Sequence, residues 1–375
     1  MAQTIGVGII GASPGTGWAA ATHVPALQAL PQYDLRAVAT SRVESARRAA
    51  AEWKVDAFDD PRQLIAHPGV DLVVVAVKVP DHRNLVAQAL AAGKMVFSEW
   101  PLGVDLAQAE DLTARAAAAR VPTVIGLQAR FDPVIAHLRN LVQQGYLGRA
   151  LATNLVGSGQ AWGPTTDPAH VYAYDRRNGV TPLSVSVGHA LDALTFVLGD
   201  FKSFTATVGV GHRDIDVLGH APIRSTTPDQ VAVTGALDSG AVASIFYRGG
   251  LSRAGDLRWE INGTDGDLLV TSPAPNGNVQ ATELMLAGGH GSDTHIEPIA
   301  APEDFSDAGL HIPARNVAAL YTAFARDLSE GTSVAPSFGD AVRLHRLVDR
   351  IERGASTAGA KMKVDSEETS CALLS

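Results

Sequence analysis

A single cysteine, Cys371, in a chain of 375 residues excludes a disulfide framework and any zinc cluster built on thiolates, and no metal site is assigned. Blocks of like charge are missing as well. The formal net charge of -9 is spread along the chain, which argues against direct nucleic acid binding and against a polybasic membrane patch. The opening "MAQTIGVGII" has no basic stretch before its apolar residues, and no apolar run reaches about 18 residues. Neither a signal peptide nor a membrane span is expected, and the expected setting is cytoplasmic. What is present, 46% hydrophobic and 18% charged residues, is the make-up of a globular protein long enough for two packed domains.

The first third alternates two periods. "TIGVGIIGA", "YDLRAVAT", "DLVVVAVKV", "MVFSEW" and "PTVIGLQAR" read as strands; "GWAAATHVPALQAL", "RVESARRAAAEW", "HRNLVAQALAAG" and "DLAQAEDLTARAAAARV" read as helices between them. Apolar strands in repeated strand-helix units imply an α/β, doubly wound parallel sheet covered on both faces. After about residue 130, β-rich segments such as "RALATNLVGSG", "QVAVTGALDSGAVASIFYRG" and "DLRWEINGTDGDLLVTS" predict an α+β domain on a large, mostly antiparallel open sheet, with interposed helices. The predicted units are a nucleotide-binding domain over 1–130, a substrate and oligomerisation domain over 131–362, and a flexible tail over 363–375.

The turn after the first strand reads "GASPGTGW". In a dinucleotide-binding (Rossmann) turn the first glycine makes the bend, the second lets backbone approach the pyrophosphate, and the third lets helix and strand pack. Gly11 fits the first. Ser13 stands where the second would be, and Pro14, Gly15 and Thr16 lengthen the loop before Gly17 and Trp18. The strand before and the helix after it identify a cofactor turn. At the end of the second strand, "VATSR" puts Thr40, Ser41 and Arg42 where an NAD site usually carries a carboxylate for the ribose hydroxyls. The missing acid, with Ser41 and Arg42 available to a 2'-phosphate, favours NADP over NAD, although Arg42 could simply begin the next helix.

"GIIGA", "THVPAL", "PDHRNLVAQALAAGKMVFSEWPLGVDLAQAEDL", "GYLGRALATNLVGSG", "GHALDAL" and "INGTDGDL", in that order, resemble the Gfo/Idh/MocA family of glucose-fructose oxidoreductases and inositol dehydrogenases. The resemblance implies a Rossmann domain followed by an α+β domain, NAD(P), a sugar or polyol substrate, and a homodimer or homotetramer formed through the second sheet. "GWAAATHVPAL", "FSEWPL", "LQAR" and "NGVTPLSVSVGHALDAL" are similar to the fungal galactose-regulon repressor subgroup, whose members bind NADP as regulators. The family's Glu-Lys-Pro motif falls on Glu99, Trp100 and Pro101, so its lysine is absent. Its Asp four residues before a His falls on Val185, with the His at His189. The same resemblance puts Trp18, His82, Glu99, Trp100, Pro101 and Gln128 beside the cofactor.

Hydride transfer from a hydroxyl-bearing carbon needs a base within hydrogen-bond reach. His189 is the candidate, either as that base or as a positioning residue. Lys78 ends an apolar strand where open α/β sheets place ligands; partly desolvated, it could replace the missing lysine, hold a cofactor oxygen, or snorkel at the strand exit. Trp100 either stacks on the nicotinamide or sugar, or belongs to the core. Glu99 is read as orienting cofactor or backbone. The loop "GQAWGPTTDPAHVYAYDRRNG" offers Trp162, Tyr172, Tyr174 and Asp175 to a carbohydrate, and family position turns it toward the nicotinamide. Arg130 contacts substrate or closes the domain boundary. These residues favour an NAD(P)-dependent oxidoreductase with a non-standard catalytic set. The alternatives are an NADP-binding regulator without turnover and a redox-neutral enzyme with cycling bound NAD.

Overall fold

The computed structural model describes residues 4–159, 161–302 and 309–358, so the predicted tail over 363–375 lies outside the described residues, as does Cys371. Six parallel strands, β1 (Ile5–Ile10), β2 (Tyr33–Ala39), β3 (Asp56–Phe58), β4 (Leu72–Val75), β5 (Met95–Glu99) and β6 (Thr123–Gly126), form the first sheet in the order β3-β2-β1-β4-β5-β6. Six helices connect or flank them: α1 (Gly17–Ala21), α2 (His23–Gln28), α3 (Val43–Trp53), α4 (Pro61–Ile65), α5 (Val79–Ala91) and α6 (Leu106–Ala119). The strand order reverses between β1 and β4, and the crevice at such a reversal is where open α/β sheets bind ligands.

Two local expectations are corrected. The helix read over 17–30 breaks at Thr22, whose φ of -122° and ψ of -60° leave the helical region and separate α1 from α2. The strand read through Val79 ends at Val75, so Lys78 is not a strand residue: it caps α5 and its side chain is exposed. Proline at the second position of α5 fits the start of a helix, where a missing N–H costs nothing.

After α7 (Pro133–Gln143) the second sheet has eight strands: β7 (Ala150–Gly159), β9 (Phe201–Gly209), β12 (Gln230–Leu237), β13 (Val242–Gly249), β14 (Leu257–Gly263), β15 (Gly266–Thr271), β16 (Met285–His290) and β17 (Glu297–Ile299). Their order is β17-β16-β15-β14-β7-β13-β12-β9, with β7 and β13 parallel and the other neighbours antiparallel. Three short strands, β8 (Thr165–Thr166), β10 (Asp214–Val217) and β11 (Ile223–Arg224), make a separate small sheet that sequence periodicity did not reveal. Helix α8 (Gly188–Leu198) follows a π-helical turn at Leu183–Val187, and the chain closes with α9 (Ile312–Glu330) and α10 (Phe338–Ala358). The apolar stretch 176–198 is long enough to cross a membrane and is mostly buried in the protein.

Strand alternation sends neighbouring residues to opposite faces of the first sheet. Val7, Ile9, Leu72, Val74 and Phe97 pack on one face against Leu320, Tyr321 and Phe324 of α9, so a helix from the far end of the chain covers the N-terminal sheet. Ile10, Val73, Val75 and Val96 belong to the other core, which runs without a break through α5 and α6 to Leu155, Ile245 and Trp259 of the second sheet.

Candidate active site

Gly11 has φ of +105°, and a Cβ built on it would meet the Ala76 carbonyl oxygen at 2.3 Å, so glycine is required for β1 to turn beside β4. The added residues Ser13 to Thr16 close on themselves: the Thr16 N–H donates to the Ser13 carbonyl at 3.3 Å around Pro14 and Gly15, a turn for which Gly15's φ of +73° suits. The insertion therefore projects outward. Gly15, Thr16 and Gly17 are its exposed tip, and a Cβ on Gly17 would meet nothing within 4 Å, so the helix-packing role expected of the third glycine is corrected.

A cavity of about 620 Å³ at the crevice is lined by Gly11, Ser13, Ser41, Lys78 and also Asp59 and Asn84. Thr40 is mostly buried and accepts from the Ser45 hydroxyl at 2.8 Å, yet it lines the cavity together with Ser41. Arg42 caps α3 on the exposed rim and is not among the wall residues. Size, position and the glycine cradle fit the adenosine and phosphate part of a dinucleotide.

Ala76 and Val77 also line a second pocket, about 230 Å³, whose walls include Trp18, His82, Glu99, Trp100, Tyr172, Val185 and His189. Glu99 is held from behind: His23 Nε2 lies 2.8 Å from Oε1, and Gln128 Nε2 donates to Oε2 at 2.9 Å. His23 is fully buried, and its Nδ1 is 2.8 Å from the hydroxyl of Tyr321 on α9. Gly126 completes the seat, since a Cβ there would meet the Glu99 carboxylate at 2.8 Å. Gln128 thus sits behind Glu99 rather than on the pocket wall. His82 has both ring nitrogens within 3.0 Å of carbonyls, Pro101 and Val77, so it clamps two loops and turns only its ring to the pocket.

Trp100 belongs to the core and also borders the pocket: its Nε1 donates to the Ser184 carbonyl at 2.7 Å and its ring lies 4.5 Å from that of His345. His189 is 4% exposed, and its Nδ1 has no hydrogen-bond partner. Burial pulls its pKa down to about 4, with the Glu99 charge opposing, so the imidazole is neutral at physiological pH.

Lys78 is corrected as a desolvated catalytic lysine: its side chain is exposed, its ammonium lies 4.4 Å over the Tyr172 ring, and it lines the adenosine cavity. Tyr172 does reach the pocket. Three other substrate candidates do not. Trp162 and Tyr174 are buried with Val79, Val180 and Ile215 in a separate cluster, where the Trp162 indole donates to the Ala173 carbonyl at 3.1 Å. Asp175 caps a 3-10 turn and grips Arg177, a local duty that points it away from the pocket. Arg130 closes the domain boundary: it makes a bidentate pair with Asp192 at 2.5 and 2.9 Å and reaches Asp340 at 3.4 Å.

Sequence reasoning missed His23, Tyr321 and Gln280. "THVPAL" marked the first only as family likeness; the other two come from α9 and from a loop beyond β15, and no local pattern ties either to the pocket.

Residues 5–127 match the model of the oxidoreductase family with an NAD-binding Rossmann fold, GFO_IDH_MocA, and residues 133–272 match that of the Gal80p C-terminal domain. The chain is 29% identical over 344 residues to Dehydrogenase aclE of Aspergillus oryzae, covering 87% of this chain and 88% of that protein. It is likewise 29% identical over 316 residues to the galactose/lactose metabolism regulatory protein GAL80 of Saccharomyces cerevisiae, covering 78% and 72%. A crystal structure of a super-repressor mutant of Gal80p from the same yeast superposes with a TM-score of 0.85 at 25% identity, covering 95% of this chain and 97% of that one.

Proposed function

Because the chain belongs to the Gfo/Idh/MocA family and joins its NAD-binding Rossmann half to a Gal80-like C-terminal domain, we propose that it is an NAD(P)-dependent oxidoreductase acting on a sugar, polyol or related carbohydrate. The observation that supports turnover is His189: a neutral imidazole on the wall of a pocket that adjoins the cofactor crevice, with its buried Nδ1 free of a hydrogen-bond partner. Bound NAD(P)+ supplies the hydride acceptor. The chain's own part is to seat the substrate against Tyr172 and Trp100, take the hydroxyl proton at the His189 imidazole, and balance the new imidazolium with the Glu99 carboxylate. A cytoplasmic setting goes with this reading.

A second reading is favoured by Trp100 and Val185, which stand where the family keeps a lysine and an aspartate: an NADP-binding regulator without turnover, or an enzyme whose bound NAD cycles with no net redox change. Absorbance at about 340 nm, followed with a sugar and polyol panel, separates them. Substrate-dependent NADPH formation supports the oxidoreductase; a flat trace with every member overturns it. NADP is the expected cofactor, given Thr40, Ser41 and Arg42 where a carboxylate would serve NAD. The Arg42→Ala variant is expected to weaken NADP about tenfold and leave NAD binding unchanged, as seen by titration of protein fluorescence.

We also propose that two or four copies associate through the second sheet. On one face Phe246 of β13 sits across from Val156 of β7, with Val242 two pairs along the same face of β13 and Met285 farther along the row beyond Arg258 and Thr271; all four apolar residues are exposed. Exposed apolar residues gathered on a sheet face mark an interaction surface. Phe246→Glu is expected to shift the light-scattering mass to that of a monomer; an unchanged mass would remove the sheet as the interface.

A further inference from the structure

Glu99 ends β5 on the wall of the 230 Å³ pocket, where Gln128 and His23 hold its carboxylate. Gln128 Nε2 donates to both oxygens, at 3.2 and 2.9 Å, and brings no charge. His23 could be neutral or cationic, and Tyr321 decides between the two. The Tyr321 side chain is fully buried, burial pushes its pKa well above the usual value, and among the described residues its hydroxyl meets only His23 Nδ1. A buried hydroxyl proton without an acceptor is costly, so the hydroxyl donates to Nδ1. His23 then carries its proton on Nε2, 2.8 Å from Glu99 Oε1, and gives the carboxylate a hydrogen bond but no counter-charge.

Nothing else on the pocket wall balances Glu99. Among the described residues that line it there is no lysine or arginine, and Trp100 stands where the family keeps its lysine. Burial lowers the pKa of both histidines on the wall, His82 and His189, the latter to about 4, so neither is a cation at neutral pH. Lys78 lines the neighbouring cavity, where water screens its exposed ammonium. The Glu99 side chain itself is 13% exposed, so its own charge is screened little. A lone carboxylate in such a pocket attracts a positive guest.

The oxidised nicotinamide ring is a guest of that kind; the reduced ring is neutral. We infer that Glu99, left without a counter-charge by the Tyr321–His23 pair and by Trp100, makes the site select the oxidised dinucleotide over the reduced one. The inference rests on the oxidoreductase reading, with the nicotinamide end of the cofactor reaching this pocket past Ala76 and Val77, which line both cavities. Charge is conserved around Glu99 through that reaction. As the hydroxyl becomes a carbonyl, its carbon passes hydride to the ring, which loses its positive charge, and its proton passes to His189, which gains one. Glu99 faces one positive charge before the step and one after it. Reduced cofactor that enters beside a neutral His189 brings no positive charge, and the carboxylate stays alone.

The test is binding by the full chain without substrate. NADP+, NADPH and 2′-phospho-ADP-ribose, which lacks the ring, are titrated by calorimetry at neutral pH into wild type and Glu99→Gln; NAD+, NADH and ADP-ribose are run beside them. Expected in wild type is a Kd at least about tenfold lower for the oxidised member of whichever pair binds. In Glu99→Gln that preference should shrink by about tenfold or more, with the ringless control bound equally by both proteins. Reduced cofactor bound as tightly as oxidised by wild type, or a preference that Glu99→Gln leaves intact, would overturn the inference. The wild-type ratio decides alone should the variant not fold. Binding of neither pair would overturn the inference together with the cofactor reading. The expected ratios with a flat trace at about 340 nm would keep the inference and sink the oxidoreductase, and turnover with no preference between the two forms would do the reverse.

Discussion

His189→Ala is expected to lower kcat by about 10²–10⁴-fold, the usual weight of a positioned general base, while cofactor affinity is retained. The imidazole sits in the pocket near the Glu99 carboxylate, whereas the cofactor crevice is built from the strand ends of the first sheet, so substitution removes a proton acceptor without disturbing the cradle. The pH profile carries a second signature. With its pKa pulled down to about 4 by burial, His189 is neutral and competent over the physiological range. Activity should hold on the alkaline side and fall as pH drops through about 4, where the ring takes up its proton. The same burial acts on stability. An unfolded histidine binds its proton near pH 6.5, but the folded one resists until about 4, so the unfolded state gains protons first and stability is lost as pH falls between those values. His345, which burial also holds to about 4, adds to the loss over the same window. Urea denaturation at a series of pH values checks this; stability that stays level from pH 7 to 4 would contradict it.

Arg130→Met is expected to destabilise the protein by about 3–5 kcal/mol, the usual cost of breaking a buried ion pair from one side. Burial works against the Arg130 charge, but the carboxylates of Asp192 and Asp340 outweigh it and hold its pKa above the ordinary value. Burial pushes the Asp192 carboxyl the other way, upward, with Arg130 opposing. Without the guanidinium, Asp192 is left buried on α8 beside Asp340 with its main counter-charge gone. The double variant Arg130→Met with Asp192→Leu should recover much of the loss, because a buried apolar pair is less costly than one unpaired charge. Chemical denaturation of the single and double variants decides the matter: equal losses in both would show that packing, not the orphaned acid, sets the cost.

The alternation of strand and helix made the first sheet legible, since β1, β2, β4 and β5 are apolar runs with clear helices between them. The glycine at position 11 was equally readable, because its requirement is local: a bend that only φ of +105° completes. The substrate side was harder. Trp162 and Tyr174 carry the aromatic groups a sugar site would use, yet the small sheet formed by β8, β10 and β11 draws them inward, and two-residue strands leave no periodicity to read. Arg130 suits substrate contact or the domain boundary equally in the sequence, and only the fold, by placing Asp192 from 62 residues on against it, decides for the boundary. His23, Tyr321 and Gln280 reach the pocket region from three separate parts of the chain, and only tertiary packing joins them.

Helix α9 has a consequence for biosynthesis. The first sheet is complete by Gly126, but the side chains that cover one of its faces, from Val317 to Phe324, are made almost last. At bacterial or eukaryotic elongation rates of about 5–20 residues per second, the ribosome needs on the order of 10–40 seconds to add that stretch after β6. For that interval Val7, Ile9, Leu72, Val74 and Phe97 lack the α9 part of their cover and have only the earlier helices, through residues such as Ala19, Val24, Leu27 and Ala49, on that face. Until Tyr321 arrives, His23 lacks the hydroxyl that meets its Nδ1, and the support behind Glu99 is incomplete.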